Sequence, residues 1–433
     1  MTRRHAVLGI GFGPANLALA IALEEEGYDL DAHFLEARPG PSWQSAMMLP
    51  GSDIQNHPVR DLVSLRNPRS RYSFINYLFE TGQLLEHLNV PMEFPLRKEY
   101  AQYVSWVADH FSRVVDYGVH VTGVTLGRDE AGQALYTVTS SSGETFEARA
   151  LVIGTGRAPF IPEPFDAVDS ARVFHLTRYL PALRELEELG VAGESGTTPR
   201  SIAIIGGSQS AVELTLDLAR RYPRAKVTTL VRSLTLRQKD TSPFSEEGYF
   251  PDFTAYYHRA PRPRKDAIDA YMRLTNYSSA DGDVLRELYR LIYEQRIDGD
   301  QKVFVTGSRQ VRGVEVREDG VHLDVEELNT GEHEQHQADF VVLATGFRDL
   351  GPAAHQERVP ALMRGVADEF AFDEHGYLEV AADYEAQPRQ SDTPALFLNG
   401  LCESSHGIGD AGSFSLLSLR AKAIAEGLRK HLS

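Results

Sequence analysis

A single cysteine, Cys402, stands in 433 residues. One thiol cannot close an internal disulfide and leaves no pair for dithiol redox chemistry. An internal disulfide is thereby excluded, disulfide-reductase chemistry is disfavoured, and a reducing, cytoplasmic compartment is expected. Long apolar runs are also missing. The run from His5 to Leu23 faintly imitates a signal peptide, but glycines interrupt it, Pro14 lies within it, and no small-residue cleavage site stands out. No other segment is long and apolar enough for a bilayer span. Positive charge is short: 44 Lys and Arg face 61 Asp and Glu, giving a net charge of −17 and a pI near 5.4. Such a surface repels nucleic acid and anionic membranes, so small molecules are the expected partners. No His and Cys cluster at ligand spacing accompanies His57, His175 or His406, and no metal is expected.

What is present repeats itself. A chain of this length exceeds one ordinary core, so two or three interleaved domains are expected. His5 to Ile10 reads as a strand, Gly11-Phe12-Gly13-Pro14-Ala15-Asn16 as a turn, and the apolar residues through Leu23 as a helix. A second strand, Ala32 to Leu35, ends on Glu36. In such a unit Gly11 makes the tight turn and Gly13 lets the backbone approach a pyrophosphate at the positive helix end. Glu36 is placed to accept from a ribose hydroxyl. A second unit opens at Ser201: a strand to Ile205, the turn Gly206-Gly207-Ser208-Gln209-Ser210-Ala211, a helix from near Val212, and a strand from Lys226 that ends on Arg232. A guanidinium there pairs with a 2'-phosphate where a carboxylate would bind a free 2'-hydroxyl, which selects NADPH over NADH.

Between and after these units the pattern changes. Residues 43–106 are rich in Pro, Asn and Arg and read as a substrate-side insertion, closing in a helix from Lys98 to Phe111; strand-like alternation runs from His120 to Thr139. Gly154-Thr155-Gly156 and Ala344-Thr345-Gly346-Phe347 each end an apolar strand and read as crossovers close to a bound dinucleotide. Residues 237–296 carry no clean strand pattern but include a helix from Asp283 to Gln295, and a last helix runs from Phe414 to Lys430. The fold class is α/β, with two Rossmann-like dinucleotide-binding domains and a smaller, mainly helical substrate-binding region.

With these segments quoted in order, the chain resembles the class B flavin-dependent N-hydroxylating monooxygenases, typified by L-ornithine and L-lysine N-monooxygenases. The resemblance rests on Gly11 to Asn16, Arg60 to Pro68, Tyr72 to Leu78, Phe94 to Tyr100, Gly206 to Glu213, Asp240 to Phe244, Asn276-Tyr277-Ser278, Ala344 to Phe347, and His406 to Asp410. It implies FAD as the first nucleotide and NADPH as the second. It further implies a C4a-hydroperoxyflavin formed with O2, attack of a neutral primary amine on it, and a homo-oligomer, dimer or tetramer. The FAD-binding domain is then 1–165 with 344–433, the NADPH-binding domain 198–236 with 297–343, and the substrate-binding insertion 237–296. Gly11, Gly13, Asn16, Glu36, Trp43 and Gln55 are the residues implied at the flavin. Gly206, Ser208, Gln209, Ser210, Arg232, Thr345 and Gly346 complete the cofactor set. Gln55 and Asn276 are implied in catalysis.

The substrate positions depart from the family. Arg60 stands where ornithine enzymes have a lysine, and Glu246 where they have the first of two asparagines; the second is kept as Asn276. Arg60, Glu246 and Asn276 are thus the expected substrate-binding residues. Arg60 and Glu246 could pair with each other and leave a compact pocket. Otherwise, loss of the Lys and Asn pattern favours an acidic amino acid such as L-aspartate, held by Arg60 and by Arg97 or Lys98. The alternatives are L-ornithine, L-lysine or a diamine in siderophore biosynthesis and, in another class, a non-catalytic flavin-binding redox protein.

Overall fold

The computed structural model describes residues 3–192, 199–410 and 412–432. Residues 1, 2, 198 and 433 of the expected domain ranges, and Ala411 of the tail, lie outside them.

The first sheet is built on Arg3–Ile10, flanked in parallel by Ala32–Glu36 on one side and Thr145–Ile153 on the other, with Val115–Tyr117 beyond Ala32–Glu36. Val7, Leu8 and Ile10 are essentially fully buried, as the near-continuous apolar run of a strand covered on both faces requires. Thr145–Ile153 forks. Its first half pairs antiparallel with Ala134–Ser140, and its second half pairs in parallel with the late strand Ala395–Leu398. The chain therefore returns to this sheet from its far end. Helix Pro14–Glu25 starts on a proline, whose missing N–H is no loss in a first turn, and buries every residue from Asn16 to Leu23. The sequence alternation of 120–139 divides into Val121–Arg128 and Ala134–Ser140, because the Asp129 carboxylate accepts from the N–H groups of Ala131 and Gln133 and makes a turn between them.

The second sheet is all parallel, in the order Val303–Thr306, Lys226–Leu230, Ser201–Ile205, Phe340–Leu343, Val173–His175. Val173–His175 lies outside the ranges expected from sequence; three residues are too few for a periodic pattern. An antiparallel meander, Arg309–Arg317, Gly320–Glu327 and His333–Ala338, packs against this sheet through Val311, Val321, Leu323 and Val325. Helix Gln209–Arg221 begins earlier than expected, because Ser208 takes the extended cap position.

The 237–296 segment is helical but not one body. Helix Gly282–Ile297 packs Leu288 and Ile292 against Val212, Leu216 and Val303 of the second sheet unit. Toward the C-terminal segment the 237–296 chain reaches through Tyr249 and Met272, which cluster with Ile408, and through Tyr277, whose hydroxyl donates to Glu403. Helix Arg97–His110 is also not peripheral: Tyr100, Tyr103, Val104 and Val107 are buried in the core of the first sheet unit. The last helix starts at Leu417, since Ser413 holds a local turn by accepting from the Ser415 N–H.

Candidate active site

Each glycine turn is shaped by a neighbour that admits no side chain. Gly11 has φ +86°, and a Cβ there would lie 2.6 Å from the Gly154 carbonyl oxygen of the first crossover. Gly206 has φ +146°, and its Cβ would lie 2.3 Å from the Ala344 oxygen of the second. Each turn is thus locked to the crossover beside it. The helices that follow, at Gly13 and Ser208, have no side chain capping their N-termini, and the space over Gly13 is open except for Arg38 Nη2 at 3.7 Å. Uncapped N–H groups over an open glycine suit a pyrophosphate.

Around the first turn, Glu36 is 5% exposed and already engaged: Oε2 accepts from the Phe12 N–H at 2.7 Å, and Oε1 accepts from Arg38 N and Nε at 2.9 Å. Burial pushes its carboxyl up, but Arg38 and the two backbone donors outweigh this and hold it below the ordinary range. The residue that fixes Glu36, Arg38, was not singled out from sequence, although its place two residues on was visible. Asn16 is occupied internally. Its amide donates to the Ile10 and Gly11 carbonyls at 3.2 and 2.7 Å and accepts from Asn399 Nδ2 at 3.0 Å. Asn399 accepts from Arg420 Nε at 2.9 Å, and Arg420 Nη1 donates to Asp410 Oδ1 at 2.8 Å. Asn16 therefore anchors the turn to the C-terminal segment through its whole side chain.

Gln55 has φ +52°, held by its N–H donating to Asp53 Oδ1 at 2.9 Å, and its Nε2 is buried with no protein partner. An orphaned buried donor in a left-handed residue is a group waiting for a ligand acceptor. Trp43 packs edge-on against Tyr100 and Phe414, with ring centroids 6.0 and 5.3 Å away, so its packing role is evident in the protein alone.

Around the second turn, the Ser208 and Ser210 hydroxyls have no partner among the described residues, and Arg232 is exposed with no ion pair there. Gln209 differs: Nε2 donates to Glu213 at 3.1 Å and Oε1 accepts from the Asp281 N–H at 2.8 Å, which ties its side chain to the helical segment. Thr345 donates to the Phe160 carbonyl, and the Gly346 oxygen accepts from the Phe160 N–H and from His175 Nε2, both at 2.9 Å. The two crossovers thus hold each other.

At the substrate positions, Arg60 Nη1 lies 3.4 Å from Glu246 Oε2 and 3.2 Å from the Ser415 hydroxyl. The arginine is paired, so it is not a free carboxylate receptor. Arg97 is also unavailable, because it is buried in a bidentate pair with Glu213 at 2.9 and 3.0 Å and donates to the Met47 carbonyl; Lys98 is exposed. The expectation of an acidic amino acid rested on these cations and loses its physical basis. Tyr249, near the Arg60 pair, donates to the Thr275 carbonyl at 3.3 Å, which brings Glu246 and Asn276 to one region. The Asn276 amide carries no protein hydrogen bond among the described residues.

A protein that holds one nucleotide fold against another through paired crossovers is built to pass electrons between two bound dinucleotides. The comparisons with known proteins make that class specific. The model of the L-lysine 6-monooxygenase/L-ornithine 5-monooxygenase family matches residues 3–349, and the chain belongs to that family. The L-ornithine N(5)-monooxygenase of Burkholderia cepacia is 35% identical over 418 residues, which cover 93% of this chain and 89% of that one. The ornithine hydroxylase of Pseudomonas aeruginosa superposes with a TM-score of 0.88 at 31% identity, over 99% of this chain and 100% of that one. An ornithine N-hydroxylase from Kutzneria sp. 744, solved with reduced FAD, NADP+ and L-ornithine, gives 0.90 at 30% identity, over 99% and 100%. The chain is accordingly an NADPH-dependent flavin N-hydroxylating monooxygenase with FAD and NADPH as cofactors, which sets aside the non-catalytic reading. Nothing in these matches supports an acidic substrate. Among the described residues no helix is long and apolar enough to cross a membrane.

Proposed function

We propose that this enzyme hydroxylates the side-chain primary amine of a basic amino acid, L-ornithine first, with L-lysine or a diamine as the alternative. The observation that carries the reading is the Arg60–Glu246 pair: it neutralises Arg60, the cation a second substrate carboxylate would need, while the Asn276 side-chain amide carries no protein hydrogen bond among the described residues. The likeness to ornithine enzymes supports the same choice.

When bound, reduced FAD supplies the oxygen-activating chemistry with O2. The protein's part is to bind, orient and exclude water. Gly11, Gly13 and Glu36 would hold the FAD pyrophosphate and ribose, and Gln55 would offer its orphaned N–H to the flavin. Ser208, Ser210 and Arg232 would hold NADPH. Thr345, Gly346 and Gln209 act on it indirectly, by fixing the crossovers and the helix start. Arg60 and Glu246 shape the pocket wall, and Asn276 would orient the amino-acid end. By this reading residues 1–165 with 344–433 form the FAD domain, and 198–236 with 297–343 the NADPH domain; the substrate region narrows to about 237–280. A single buried Cys402 supports a cytoplasmic enzyme, and the exposed aromatics Phe244 and Tyr271 support a homo-oligomer.

The test is a panel of amines assayed for hydroxylated product against NADPH consumed. L-Ornithine is expected to give coupled product while L-aspartate gives at most uncoupled oxidation. Coupled turnover of aspartate would sink the reading.

A further inference from the structure

The two nucleotide units meet through side chains at a buried ion pair. Arg97 opens helix Arg97–His110, which packs in the core of the first unit, and Glu213 lies one turn into helix Gln209–Arg221, behind the second glycine turn. Arg97 Nη2 donates to both Glu213 oxygens, at 3.0 and 2.9 Å, and Nη1 donates to the Met47 carbonyl at 2.8 Å. The two side chains are 9% and 7% exposed. Met47 and Leu49 belong by sequence to the first unit, yet they are buried in the core of the second with Ala211 and Leu214. Arg97 thus pins the segment that the first unit inserts into the second.

The pair is wired toward both cofactor sites. On the flavin side, the Arg97 N–H donates to the Ser52 carbonyl at 2.8 Å, and Asp53 bridges Leu96 in antiparallel register. Asp53 holds the Gln55 N–H at 2.9 Å and lies within electrostatic reach of Glu213 and Asp281. On the other side, Gln209 of the second glycine turn donates Nε2 to Glu213 Oε1 at 3.1 Å. Contacts therefore run from Gln55 through Arg97 and Glu213 to the second turn. The crossovers also join the two units, but through main chain packed on each glycine turn, whereas the Arg97–Glu213 pair can be altered without touching either turn.

Burial of Met47 and Leu49 attracts the units but has no preferred direction. A charge-assisted pair between a planar guanidinium and a carboxylate fixes an orientation. Desolvation offsets much of its Coulomb energy, so what it adds to the apolar contact is geometry. Domains of one chain move against each other unless their contact prevents it. We propose that Arg97 and Glu213 are positioning residues for reduction of the flavin: their pair sets the angle between the two units, and with it the approach of NADPH. The inference rests on the assignment above of the first unit to FAD and the second to NADPH. In that step one hydride, a proton with two electrons, passes from NADPH to the flavin and leaves NADP+. Neither residue takes part in the bond changes, but a misplacement of about 1 Å costs such a step on the order of 10²-fold.

The test compares FAD-loaded wild type, Arg97→Lys, Glu213→Gln and the double variant. Anaerobic stopped flow over a range of NADPH concentrations gives the limiting rate of flavin reduction separately from the NADPH Kd, and small-angle X-ray scattering without NADPH gives the radius of gyration. Each single variant is expected to lose about 10²-fold in the limiting rate with Kd and FAD per chain unchanged, and to scatter as a more open particle. The double variant should lose no more than the worse single, because both remove one interaction. Arg97→Lys keeps the charge but not the fork, so it carries the test alone if Glu213→Gln does not fold. An unchanged limiting rate in Arg97→Lys would overturn the proposal, as would additive losses or a rate that falls only in step with lost FAD. A raised Kd at a constant limiting rate would overturn it too, by making the pair part of the NADPH site. Failure of the cofactor assignment itself shows elsewhere, as an NADPH Kd indifferent to Arg232→Ala.

Discussion

The two glycine turns begin alike and end differently. Beneath the first, Glu36 is buried and held by three donors, and Asn16 is wired through Asn399 and Arg420 to Asp410. Beside the second, Arg232 is exposed without an ion pair, and Ser208 and Ser210 hold hydroxyls without partners, among the described residues. A preorganised site binds tightly because little order remains to be imposed on binding, whereas a loose one forfeits part of its contact energy to ordering and releases its ligand sooner. The contrast suits one nucleotide that stays and another that is exchanged at every turnover. It also predicts that damage at the first turn registers as lost stability and lost flavin, and damage at the second as weakened binding alone.

The largest effect should come from cutting the wiring under the first turn. Asp410 and Arg420 are 0% and 2% exposed in their side chains, and Asp410 Oδ2 also accepts from the Cys402 N–H at 2.6 Å. Asp410→Ala leaves a guanidinium buried and unpaired, at a cost of about 3–5 kcal/mol. Thermal unfolding and retained FAD per chain should both fall; a variant with wild-type Tm and full flavin would show that the network does not support the turn. Acid should probe the same region. Burial holds the His406 imidazole down at about 4, well below the 6.5 of a free histidine, with Asp410 opposing and His258 and Lys265 adding to the shift. The unfolded chain then binds the extra proton, so stability is intact above about pH 6.5 and is lost as pH falls toward 4. His175, lowered to about 4 by burial with its hydrogen bond to the Gly346 carbonyl opposing, acts in the same window. Each contributes on the order of 3 kcal/mol across the full window. Tm measured from pH 7.5 to 5 should drop, and His406→Gln should flatten the dependence; an equal slope in that variant would remove His406 from the account.

The same contrast explains what could be read from the chain. The glycines, the helix start and the terminal acid or arginine of each nucleotide unit lie within about 30 residues, the span of one supersecondary unit, so contiguous pattern reveals them. The ties that decide the site are far apart in sequence. Asn16 meets Asn399 across 383 residues, Arg60 meets Glu246 across 186, and Arg157 meets Glu403 across 246. No local period encodes such partners. Arg60 shows the consequence: from sequence it was a cation available for a carboxylate or a partner for Glu246, and only the fold decides between them.

The smallest of these effects is the sharpest test of the comparison. Because Arg232 stands in solvent with no ion pair among the described residues, its removal costs the folded protein almost nothing: Arg232→Ala should leave Tm unchanged within about 0.5 kcal/mol. By the proposed assignment its whole contribution would belong to the 2'-phosphate. A charge-assisted contact of that kind is worth about 1.5–3 kcal/mol, reduced here by solvent and salt, so kcat/KM for NADPH should fall about 10-fold while that for NADH stays level. The loss should appear in KM more than in kcat, since the contact lies away from the reacting ring and binds ground and transition states equally. Arg232→Lys should recover part of it, keeping the charge but not the fork. If NADPH and NADH fell together, Arg232 would be serving the fold of the turn and not the phosphate, and the second site would resemble the first more closely than its exposure suggests.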